Sequence, residues 1–188
     1  MAVGLGLLGR GGTRRALGLW ALHVAGAALA GALLGGLVGG VGALVGLAAW
    51  GRWIIGGGAL LALGLGLRRR PPKLGLQRQV PRRWAPGTPP ARVYLVWGAM
   101  LGSGVATPVF HTAFIVLLAA QLTGGVALGL ISGAMFGAAR QATALLPLLG
   151  RLDPVRTMGL LETLRPLARG LNAALIVAGG FILVLIGR

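Results

Sequence analysis

Residues 16–49 form 34 consecutive positions without a charged side chain, with Arg14 and Arg15 before them and Arg52 just after. Inside a bilayer, backbone N–H and C=O groups find partners only within a helix or a closed barrel. An apolar run of ~20 residues is therefore read as a spanning helix. The pattern recurs: residues 53–67, 93–139 and 170–187 are also free of charge. With 56% hydrophobic residues, 11% charged residues and a mean hydropathy of +0.86, the 188-residue chain falls outside the range of soluble globular domains. The expected fold is all-α: one polytopic membrane domain, a bundle of about five transmembrane helices.

The spans are expected at about 16–40, 53–67, 93–122, 125–149 and 171–187, joined by basic loops at 68–92 and 150–170. Arg68-Arg69-Arg70-Pro71-Pro72 ends the second span, because proline cannot continue a helix and adjacent arginines do not enter hydrocarbon. Only Thr123 and Gly124 separate the third and fourth spans, which predicts an antiparallel hairpin. Asp153-Pro154 reads as a helix start, and the apolar spacing after it as a short interfacial helix that Pro166 should stop. Placing the N-terminus in the cytoplasm puts 15 of the 18 basic residues in cytoplasmic segments and leaves Arg52 and Arg188 outside. Lys and Arg accumulate on the cytoplasmic side, so the expected location is the plasma (inner) membrane, multi-pass, with the C-terminus outside.

The same charge balance, 18 basic residues against two acids, would suggest nucleic acid in a soluble chain. Here no base-stacking or readout surface accompanies it, so the expected partners are the lipid bilayer and other membrane-protein subunits, with no nucleic acid. The absence of cysteine excludes disulfides, thiolate metal sites and thiol redox chemistry. Asp153 and Glu162 are the only acids, and both fall in a loop. No metal set and no combination of nucleophile, base and acid is visible, so the chain is not expected to be an enzyme.

Glycine marks where helices should touch. Gly125, Gly129, Gly133 and Gly137 recur at every fourth position of the fourth span, and Gly31, Gly35 and Gly39 do so in the first. Such stripes let backbones approach closely. In the third span, Gly102, Ser103, Gly104, Thr107 and Pro108 predict a helix broken near mid-membrane. The carbonyl freed there needs a hydroxyl, a neighbouring helix or a water-filled cavity as partner, and broken helices are where transporters place their sites. Arg140 is the one charge inside a predicted span, able to snorkel or to line a cavity. His23 and His111 are the candidate cofactor ligands. On continuous helices they would lie ~12 Å and ~27 Å from the cytoplasmic ends, so a single haem could not easily receive both. The alternative role for each is a packing histidine bonded to a neighbouring carbonyl, and the cofactor, if any, is unknown.

The order of these features resembles the transmembrane domain of the cytochrome c biogenesis and thiol-disulfide interchange family. The resemblance rests on Arg14-Arg15 before a Gly/Ala-rich helix, a short second helix, the basic proline-containing loop, Gly102-Ser103-Gly104-Val105-Ala106-Thr107-Pro108, and Gly133-Ala134-Met135-Phe136-Gly137. It covers residues 14–187. That family passes electrons through cysteines that follow prolines in two broken helices, whereas here Pro108 is followed by Val109 and the family's first helix is missing. The resemblance therefore implies a non-redox membrane scaffold or transporter-like protein. The alternative is a small structural accessory subunit of a larger membrane complex, contacting a pigment, haem or lipid.

Overall fold

A computed structural model describes residues 12–68, 87–104, 109, 111–141 and 154–186. Most of the basic loop, the Thr107-Pro108 pair and Asp153 lie outside the described residues. The elements are helical: α1 (Gly12–Leu44), one 3-10 turn (Leu47–Trp50), α2 (Gly51–Gly66), α3 (Pro90–Gly102), α4 (Ala113–Arg140), α5 (Pro154–Thr163) and α6 (Arg165–Ile186). Three stretches, Arg14–Leu44, Leu47–Gly66 and Ala113–Arg140, are long and apolar enough to cross a membrane.

The last of these is not straight. Gly125 sits at φ 76°, ψ −175°, a conformation open to glycine alone, and the chain reverses there. Two contacts show the reversal. Gln121 Nε2 donates to Ser132 Oγ at 3.1 Å, and the Phe114 and Phe136 rings lie 4.8 Å apart. On one straight helix, residues eleven apart would be separated by about 16 Å. Helix α4 is thus a hairpin with a first arm at 113–124 and a second at 125–140.

Two groups of helices share that hairpin. The second arm runs antiparallel to α1: Gly129 meets Gly35, Gly133 meets Gly31 and Gly137 meets Ala27, so closely that an added Cβ would fall on backbone oxygen. Helix α3 lies along α1 in parallel, with Gly98 against His23 and Gly102 against Ala27. The first arm runs antiparallel to α2, with Thr123 beside Gly51, Ala119 beside Gly58 and Thr112 beside Gly66. Helix α6 completes this group, placing Ile176 among Ile55, Ala62, Val116 and Ala119. In lipid, helix association draws on van der Waals packing and interhelical hydrogen bonds, which is why backbone-to-backbone glycine contacts are used.

Several expected boundaries shift. Among the described residues, the span placed at 93–122 holds two helices, one ending at Gly102 and one starting at Ala113. Helix in the span placed at 125–149 is seen to Arg140, and 142–150 lie outside the described residues. The last helix starts at Arg165 rather than 171, since Pro166 falls in its first turn, where no N–H is required. Pro166 therefore begins α6, while α5 stops at Thr163.

Candidate functional site

The two ends of the helix break meet α1 at one place. Gly102, the last residue of α3, packs on the backbone of Ala27. Phe114, in the first turn of α4, packs on Phe136, whose neighbour Gly137 touches the carbonyl of the same Ala27. Ala27 is fully buried and lies midway along α1. Helix α3 and the first arm therefore end and begin, respectively, at the level of the centre of α1.

The interruption has a local cause on each side. Gly104 adopts φ +70° just past the end of α3, the left-handed conformation that commonly terminates helices. It also sits where a Cβ would press on Phe114 at 3.1 Å and Phe136 at 3.3 Å. A terminating glycine thus ends α3 at the first part of the expected break, while Thr107 and Pro108 lie outside the described residues. Ser103 Oγ donates to the Met100 carbonyl at 3.4 Å, supplying a partner at that end.

Across the break, Asn172 of α6 serves the start of α4. Its Oδ1 accepts the Ala113 backbone N–H at 3.1 Å, and its Nδ2 donates to Thr112 Oγ1 at 3.1 Å. Thr112 is 1% exposed. Gly66 makes room for it, since a Cβ there would come within 2.9 Å of Thr112 Oγ1. The first N–H groups of a helix have no partner inside it, and here a residue from another helix supplies one.

A second buried polar group ties α1, α3 and the end of α4 together. His23 Nδ1 faces the Tyr94 carbonyl at 3.1 Å, and Nε2 faces the Gln141 side-chain amide at 2.9 Å. A carbonyl accepts, so Nδ1 carries the hydrogen. In the neutral ring Nε2 then accepts, which requires the Gln141 amide to turn its NH2 group toward it. Both ring nitrogens of His23 thus make helix-packing hydrogen bonds. His111 is exposed and lies three residues before Phe114.

Arg140 closes the second arm half-buried, where a cation is favoured by the helix dipole. Gly31, Gly35, Gly129, Gly133 and Gly137 all sit at close backbone contacts, and Gly39 lies against the carbonyl of Gly125, which forms the turn. Among the described residues, no group of three or more potential metal ligands gathers.

Sequence reasoning passed over the amides. Outside the basic loop the chain has three, Gln121, Gln141 and Asn172, and all three make interhelical hydrogen bonds. The signal was present, because an amide within an apolar span needs a partner. Comparison with protein-family models, with curated proteins and with solved structures finds no match for the chain.

Proposed function

We propose that this chain is a multi-pass inner-membrane protein acting as a non-redox scaffold or transporter-like component, related to the transmembrane domain of the cytochrome c biogenesis and thiol-disulfide interchange family. In this reading α1, α2, α3 with the first arm, the second arm and α6 are five crossings, with the N-terminus in the cytoplasm. The observation that carries it is that Gly102 packs on Ala27, while Phe114 packs on Phe136, whose neighbour Gly137 touches the same Ala27. Non-helical backbone at membrane depth is tolerated where it is buried in protein or lines a water-filled cavity, and transporters bind substrate at such breaks. The polar groups described there, Ser103, Thr112 and Asn172, are neutral. This favours a small polar substrate over a strongly charged one.

The test uses the absence of native cysteine. Ser103→Cys, reconstituted in vesicles of phosphatidylethanolamine and phosphatidylglycerol, is exposed to a small charged thiol reagent. Labelling of the folded protein is expected, slower than in denaturant. No labelling until the protein is denatured would mean a dry, packed break. That result would remove the transporter-like reading and favour an accessory structural subunit.

A further inference from the structure

We propose that the bundle is built for a hydrocarbon layer about 24 Å thick, and that it thins a bilayer of ordinary thickness where α2 and α6 face lipid. This rests on the reading above that α2, the second arm and α6 are crossings, and not on its transporter-like half. The hydrocarbon core of a bilayer is about 30 Å thick on average. A shorter apolar span is met by thinning, by snorkelling of flanking side chains or by oligomerisation.

Two exposed arginines bracket α2. Arg68 stands sixteen positions after Arg52, about 24 Å at the helical rise. Leu60 and Leu61 between them are exposed, so this face of the helix is turned to lipid. Tilt only shortens the thickness that such a helix covers. Snorkelling is limited at the outer end, because the Arg52 guanidinium lies 5.6 Å from the centre of the Trp53 ring, an aromatic of the kind that sits at headgroup level.

Two neighbours place their charges at matching levels. Helix α6 runs antiparallel to α2, with Asn172 beside Gly66, Gly180 beside Ala59 and Val184 beside Gly56. The exposed Arg169, three residues before Asn172, therefore falls level with Arg68. The turn at Gly125 is level with the outer end of α2, because Thr123 lies beside Gly51. Arg140 comes fifteen positions after Gly125 on the second arm, about 22 Å further in. Gln141 meets His23 at that depth, and Gly98 packs on His23. Trp20 and Trp97 thus stand within about a turn of the same level, facing Trp50 and Trp53 across the band. Helix α1 is longer, and its Arg14 and Arg15 lie about 12 Å beyond His23, in the headgroup layer and the water. Charges on three helices and tryptophans at both ends outline one band, about 6 Å thinner than the average core.

The experiment reconstitutes the chain in phosphatidylcholine vesicles with monounsaturated acyl chains of 14, 16, 18, 20 or 22 carbons, each mixed with a dibrominated 18-carbon lipid that quenches tryptophan. Competition between the two lipids reads the relative affinity of the protein surface for each chain length, with the exposed Trp50 and Trp53 as reporters. Affinity is expected to peak at 16 carbons or fewer and to fall several-fold by 22, as mismatch accumulates. Arg68→Leu, Arg69→Leu, Arg70→Leu and Arg169→Leu together move the nearest cations in the sequence to Lys73 and Arg165, about a turn further out. The peak should then move to chains at least two carbons longer. A peak that stays in place would overturn the proposal, and if this variant does not fold the unaltered chain carries the test alone. Val45→Cys, in the exposed turn before α2, and Arg78→Cys test the crossing separately in intact cells with a membrane-impermeant maleimide. Reaction from opposite sides together with an affinity peak at 18 carbons or more would overturn the thin band and leave the crossings standing. Reaction of both from one side would overturn the crossing of α2 and the band with it.

Discussion

Gly31 and Gly133 touch backbone to backbone: a Cβ built on either residue falls on the carbonyl oxygen of the other. Neither position can accept a side chain unless α1 and the second arm move apart. Gly133→Ala should therefore cost about 1–3 kcal/mol, the range for overpacking, and Gly133→Leu should cost more. Gly57 and Gly64 on α2 have open space around them. Alanine there should stabilise by about 0.5–1 kcal/mol through helix propensity alone. Reversible unfolding in mixed micelles measures both. Equal effects at Gly133 and Gly57 would show that the close approach carries no energy.

The reversal at Gly125 should be equally intolerant. A non-glycine residue at φ 76°, ψ −175° is strained by about 1–3 kcal/mol, so Gly125→Ala should loosen the hairpin. Cysteines replacing Gln121 and Ser132, whose side chains are hydrogen-bonded, report on it directly. Oxidation should cross-link them readily with Gly125 in place and several-fold more slowly after the substitution. An unchanged cross-linking rate would place the turn elsewhere.

These two positions also show how much the sequence revealed. The stripe Gly129, Gly133 and Gly137 was readable because four-residue spacing puts glycines on one helix face, whatever the partner. The reversal was readable from the shortness of Thr123-Gly124, although Gly125 then serves as the turn itself. The break was readable at Gly102, Ser103 and Gly104, but not which of those residues ends the helix. In a chain with 36 glycines, nothing local distinguishes Gly104, which ends a helix, from Gly98, which sits inside one. The amide network was hidden for a different reason. The bond from Asn172 to Ala113 joins residues 59 apart, so it exists only once α6 is docked.

The His23 and Gln141 pair predicts non-additive mutations. His23→Leu leaves the 96% buried Gln141 amide without its partner, and Gln141→Leu does the same to His23 Nε2. Each should destabilise by about 1–3 kcal/mol, the cost of an unsatisfied buried polar group. The double substitution removes both orphans, so its cost should fall well short of the sum. Additive losses in a double-mutant cycle would mean that the two side chains act independently.

The proposed orientation gives the last prediction. The turn between α1 and α2 carries Trp50 and Trp53, both more than 60% exposed, with the Arg52 guanidinium 5.6 Å from the Trp53 ring centre. Tryptophan and arginine together mark a membrane–water interface, and a lone arginine against the many in the 68–92 loop marks the outer one. Single cysteines at Arg52 and Arg78 should therefore differ in intact cells. Arg52→Cys should react with a membrane-impermeant maleimide from outside, and Arg78→Cys only after permeabilisation. The cation–π contact at Arg52 is exposed and adds about 0.5–1 kcal/mol, so its loss should not perturb the fold enough to confuse the result. The reverse labelling pattern would invert the bundle. Labelling of both sites from outside would mean that α2 does not cross, and would reduce the number of crossings accordingly.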